Sequence, residues 1–123
     1  MWRSLPALYG LLLALHAQAA DEIQLRIRND SGESFEHVWQ GKPQLGTDVD
    51  LGPLAPGQTS RWHRLPGTQA HYRKTRVQLA SRHLTGVLPD APLAPSCYTF
   101  VCTLEDGALQ VVALWESGCR KPE

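Results

Sequence analysis

After residue 20, apolar side chains recur at every second position and seldom at helical spacing, so the chain reads as strands. In EIQLRIRND, Ile23, Leu25 and Ile27 fall on one side while Gln24, Arg26 and Arg28 fall on the other. That is the pattern of a strand with a buried face and a wet face. Asn29-Asp30-Ser31-Gly32 ends it, because short polar side chains and a glycine suit a tight reversal. A second strand over about 35–40 carries Phe35 and Trp39 on one face and Val38 on the other, the parity of a bulge or of a strand covered on both sides. Residues 41–57 read as a connection with a short strand near Val49–Leu51, closed by the LAPG turn at 54–57. QTSRWHRL is extended again, PGTQ at 66–69 turns the chain, and AHYRKTRVQLAS continues with Thr75, Val77 and Leu79 on one face. Residues 86–95 hold three prolines and read as a loop along a sheet edge.

The last hairpin can be read in register. Asp106-Gly107 is a strong two-residue turn signal between alternating runs. Pairing Glu105 with Ala108 sets Cys102 opposite Val111, Phe100 opposite Ala113 and Tyr98 opposite Trp115. One face, from Tyr98, Phe100 and Cys102 to Val111 and Trp115, is then a core face. About seven short strands with turns every eight to twelve residues predict an all-β fold, an antiparallel immunoglobulin-like sandwich, with a small barrel as the alternative. Ile23, Leu25, Ile27, Val77, Leu79, Phe100, Val111 and Trp115 are expected inside.

The first nineteen residues break this pattern. Arg3, the apolar run Leu5–Leu15 and Ala17-Gln18-Ala19 match a secretory leader, with small residues where signal peptidase cuts. The expectation is a signal peptide over 1–19 and one domain over 20–123, with no transmembrane segment after cleavage. Export places the protein in the periplasm or outside the cell, where disulfides persist.

That bears on the three cysteines. Cys97 and Cys102 are five apart on one strand, so their side chains leave opposite faces and cannot share a metal or a bond. Cys102 belongs to the core face and behaves as a small hydrophobe. Cys119 follows the flexible pair Ser117-Gly118, and Cys97 is its nearer partner. A Cys97–Cys119 disulfide that pins the tail to the hairpin's open end is the expectation. A zinc site would need paired short spacings, and a catalytic Cys102 would need an accessible thiolate with a base nearby.

Charge adds one asymmetry. The chain holds twelve basic and twelve acidic residues, a balance that gives no reason to expect a nucleic-acid partner. Residues 51–89 nevertheless carry Arg61, Arg64, Arg73, Lys74, Arg76 and Arg82 without an Asp or Glu. A basic hairpin from Arg61 to Arg76 could grip an anionic partner through Arg61, Arg64, Arg73 and Arg76, with Trp62 and Tyr72 as anchors. The competing reading is that these bases pair with acidic strands of their own fold. His63 and His71 fall on the same expected hairpin and give the alternative of a periplasmic copper- or zinc-handling protein. No G-x-S-x-G, H-E-x-x-H or glycine-rich phosphate loop is present, so no enzyme activity and no cofactor are expected.

The order of IRNDSGESF at 27–35, LGPLAPGQTSRW at 51–62 and YTF at 98–100 resembles a loose group of small exported bacterial β-sandwich proteins of unassigned function. The resemblance implies export and a sandwich, transfers no active site and does not extend to the cysteines. The expectation is an exported, non-catalytic module that binds a protein or an anionic envelope component.

Overall fold

The computed structural model describes residues 22–41, 48–66, 73–88 and 93–119. Residues 1–19, expected to be a signal peptide, and His71 and Tyr72 lie outside the described residues. Among the described residues there is no helix. The described residues form eight strands: β1 Glu22–Asn29, β2 His37–Gly41, β3 Val49–Asp50, β4 His63–Pro66, β5 Arg73–Gln78, β6 His83–Leu88, β7 Cys97–Glu105 and β8 Ala108–Trp115. They form two four-stranded sheets, ordered β4-β1-β7-β8 and β3-β2-β5-β6. No described helix is long and apolar enough to cross a membrane.

The inward faces supply the core in the order the alternation predicts. Ile23, Leu25 and Ile27 of β1, Val77 of β5, Leu79 beyond it, and Phe100 and Cys102 of β7 are all buried in one cluster. The β7–β8 register runs from Glu105 opposite Ala108 to Tyr98 opposite Trp115, as the Asp106-Gly107 turn requires. Both turn residues have positive φ, 52° and 78°, which matches the right-handed twist of the strands they join.

Several expectations need correction. Strand β1 pairs β7 in parallel, so the sandwich is not wholly antiparallel. Period-two alternation reports which face a side chain takes and is silent on strand direction. A parallel neighbour needs a long crossover, which here carries the whole second sheet together with β4. Residues 83–88 form a strand where a loop was expected from Gly86, because the first of the three prolines, Pro89, comes only after β6 has ended. Val111 is only partly buried, and Trp115 is 37% exposed, since β8 is an edge strand and Trp115 is its last residue. In the second strand Phe35 stands apart, bridged to Leu54, and within β2 it is Val38 and Gln40 that face inward, leaving Trp39 outside.

Among the described residues, β4 and β5 do not pair as the expected basic hairpin. Strand β4 pairs β1 in the first sheet, whereas β5 pairs β2 and β6 in the second. The run of bases from Arg61 to Arg76 is therefore divided between two sheets.

Asn29 joins the two segments that carry the resemblance. Fully buried at the end of β1, its Nδ2 donates to the carbonyls of Glu33 (2.7 Å) and Leu54 (3.0 Å). Its Oδ1 accepts from the Ser31 N–H (3.0 Å) and the Ser31 hydroxyl (2.7 Å). One side chain thus closes the 29–35 turn and fastens it to the 51–62 connection.

Candidate functional site

The outer face of the first sheet carries a row of side chains across all four strands. Leu114 lies opposite Thr99 and Thr99 opposite Arg26. The Arg26 guanidinium sits 4.4 Å above the ring of Trp62, just ahead of β4. Arg26 is held at further points: its Nε donates to Thr99 Oγ1 at 3.0 Å, and its Nη2 reaches Glu116 Oε1 at 3.5 Å. The Thr99 hydroxyl also donates to Glu116, and this hydrogen bond, helped by Arg26, holds the Glu116 carboxyl below its ordinary pKa. The network therefore fixes the cation against the indole. Trp62 remains 39% exposed.

Two more cations adjoin Trp62. Arg64 alternates with buried Leu65 on β4, so it faces outward, and no ion pair engages it among the described residues. Arg61 donates one bond to the Asp50 carbonyl at 3.2 Å, which leaves most of its fork available. An open groove of about 410 Å³ beside it is lined by Asp50, Gln58, Thr59, Ser60 and Arg61. Burial acts to raise the pKa of Asp50, but the Gly52 N–H, His37 and Arg61 together hold it below its ordinary value. This corner can receive a carboxylate or phosphate in its arginines and an apolar group on the indole.

The other expected contact residues are used internally. Arg73 is 3% exposed and donates through Nε to Gln40 Oε1 at 3.0 Å, while Gln40 donates to Thr75. Lys74 and Arg76 both pair with Asp48, at 3.2 and 3.3 Å, and Arg82 pairs with Glu33 at 3.1 Å. Much of the basic segment thus neutralises acids of its own fold, which is the competing reading of the charge pattern. What remains outward is Arg61, Trp62 and Arg64.

His63 is half-buried, and burial followed by the charges of Arg73 and Arg61 lowers its pKa. The expected joint site with His71 falls outside the described residues. The histidines that do gather are His37 and His83, stacked near the Trp39 ring at 5.1 and 6.5 Å on the outer face of the second sheet. His37 also bonds Asp50 at 2.9 Å, and Arg76 covers Trp39 at 4.1 Å. The alternation His37-x-Trp39 could have placed two of these rings on one face, but the pairing that brings in His83 and Arg76 is long-range. Among the described residues no group of three or more His, Cys, Asp or Glu is placed to hold a metal.

The Cys97–Cys119 disulfide is present, with its Cα atoms 5.7 Å apart, and it lies directly beside the Glu116–Thr99–Arg26 network through the bond from Glu116 N–H to the Cys97 carbonyl (2.9 Å). Cys102 is a buried free thiol whose pKa is pushed up to about 12 by burial and by the Asp30 charge, the opposite of an activated nucleophile.

No protein-family model matches this chain, and a comparison with curated proteins finds no relative.

Proposed function

We propose that this protein is an exported, non-catalytic binding module that captures an anionic macromolecule of the periplasm or cell surface through the corner formed by Arg61, Trp62 and Arg64. The observation that carries this reading is the half-exposed Trp62, clamped by Arg26 and flanked by exposed Arg61 and by Arg64, which no ion pair engages among the described residues. Aromatic and arginine anchors of this kind dominate binding energy at protein surfaces. A preordered indole loses little freedom on binding. Export is supported by the leader-like start of the chain and by a disulfide, which persists in oxidising compartments. The two four-stranded sheets support an immunoglobulin-like reading of the sandwich, with the parallel β1–β7 pair as a departure from an all-antiparallel one.

Capture from an envelope fraction tests this, with three variants side by side. Arg61→Gln/Arg64→Gln and Trp62→Ala are each expected to reduce capture at least tenfold and to leave the melting temperature nearly unchanged. Arg73→Gln is expected to do the reverse, costing about 1–3 kcal/mol by stranding a buried amide while capture by the folded fraction persists. Capture that survives the Arg61/Arg64 change would make this corner ordinary surface.

A further inference from the structure

The groove beside Arg61 has one carboxylate among its lining residues, that of Asp50. Both side chains are exposed, so an anion that reaches the Arg61 guanidinium also meets the Asp50 charge. The two residues are tied together, because Arg61 Nη2 donates to the Asp50 carbonyl at 3.2 Å. Two further contacts fix the Asp50 side chain. Its Oδ1 accepts from the Gly52 N–H at 3.0 Å, and its Oδ2 stands 2.9 Å from His37 Nδ1. One residue therefore joins an exposed imidazole of the second sheet to an arginine of the proposed binding corner.

The His37 ring is itself held in place. It stacks on Trp39 with 5.1 Å between centroids and 17° between planes. The charged and titratable groups that face it come from three strands. Asp50 ends β3, the Arg76 guanidinium of β5 lies 4.1 Å from the Trp39 ring, and His83 of β6 lies 6.5 Å from the same ring. Glu36 precedes His37 in the chain. Arg76 is paired with Asp48 at 3.3 Å. His37 is thus the group in contact with the Asp50 carboxylate whose charge can change between pH 5 and 8, the range in which histidines titrate.

We infer that His37 sets, through Asp50, the charge that Arg61 presents to an anion, so that the corner binds anions more tightly as the medium becomes acidic. The inference rests on the binding corner proposed above and assigns its regulation. Its basis is Coulombic. With His37 neutral, the Asp50 carboxylate repels an incoming anion and offsets part of the Arg61 charge. With a proton added to His37, the imidazolium and the carboxylate cancel, and Arg61 acts on the anion unopposed. Asp50 keeps its own charge over this range, because burial, which would raise its pKa, is outweighed by the Gly52 N–H, His37 and Arg61. His63 is a second histidine near Arg61. Burial, then the charges of Arg73 and Arg61, lower its pKa and move its charging to more acid pH. The path from His37 to Arg61 spans two hydrogen bonds, short enough to survive a screening length of about 8 Å at physiological ionic strength.

Affinity for dextran sulfate, whose charge is constant over this range, tests the inference when measured at pH 7.5 and 5.5 in the same salt. The wild type should bind about three- to tenfold more tightly at pH 5.5, the weight of one added charge near a protein surface. His37→Gln should abolish that ratio and bind at both pH values as the wild type does at pH 7.5. Asp50→Asn, which keeps an acceptor for the Gly52 N–H, should bind at pH 7.5 at least as tightly as the wild type does at pH 5.5, with no further gain on acidification. His63→Gln and His83→Gln should each retain the ratio. In the protein without ligand, magnetic resonance should show the Gly52 amide and the Arg61 side-chain Nε–H titrating together with the His37 ring. Both signals should be flat in His37→Gln. A ratio that survives His37→Gln, or Arg61 and Gly52 signals that ignore His37, overturns the inference while the corner stands as a binding site. Absence of binding at both pH values would overturn the proposed function along with it.

Discussion

Replacing Cys97 and Cys119 together by serine should lower the stability of the protein by about 3 kcal/mol, the chain-entropy value for a loop of this size. For a domain of about 100 residues that corresponds to a fall in melting temperature on the order of 10–20 °C. The bond closes a loop with a sequence separation of 22 and ties the segment after β8 to the first residue of β7. The local effect should be as clear as the global one. Glu116, three residues before Cys119, is positioned by its N–H on the Cys97 carbonyl, and Glu116 in turn holds Thr99 and Arg26. Loss of the disulfide should loosen the clamp on Trp62 and weaken capture at temperatures where the fold persists. Calorimetry of wild type with and without reductant, beside the double serine variant, measures the first effect. An unchanged melting temperature would show that the tail contributes nothing to the fold.

Asn29→Ala is expected to cost about 2–3 kcal/mol, from two stranded carbonyl acceptors, that of Leu54 buried, and two donors of Ser31 around a fully buried side chain. Ser31→Ala, which removes only the partly exposed hydroxyl, should cost less than half as much. Urea denaturation measures both. Because Asn29 fastens the 29–35 turn to Leu54, the alanine variant should also speed hydrogen exchange at the amides of Phe35 and Leu54, which bond each other's carbonyls at 2.8 and 3.0 Å. Equal costs for the two variants would mean that the turn, and not the link to Leu54, carries the energy.

What could be read from the residues was whatever depends on neighbours in sequence. The β1 alternation placed Ile23, Leu25 and Ile27 inside, and Asp106-Gly107 set the last hairpin's register residue by residue. The same parity that buries Thr75 and Val77 also buries Arg73, but charge grouped Arg73 with Arg61 and Arg64, and burial won. The partners that absorb the basic segment, Asp48 for Lys74 and Arg76 and Glu33 for Arg82, lie 26 to 49 residues away and are joined only by the fold. The Trp62 clamp is of the same kind, since it needs β1, β7 and the end of β8 side by side. Gly86 was read as the start of a loop, whereas it lies within β6, where an added Cβ would fit tightly, 3.1 Å from Val111 Cγ2 and 3.4 Å from the Leu109 carbonyl.

The central claim is that anionic partners engage the Trp62 corner and not the arginines of the second sheet. A titration of isotope-labelled protein with polyglutamate, followed by amide and indole chemical shifts, tests this most directly. Shift changes should map to Arg26, residues 60–66 and the Trp62 indole, and should fade as added salt shortens the screening length below about 8 Å. Changes centred on Arg76, Trp39 and His83, or none at all at saturating peptide, would contradict the account.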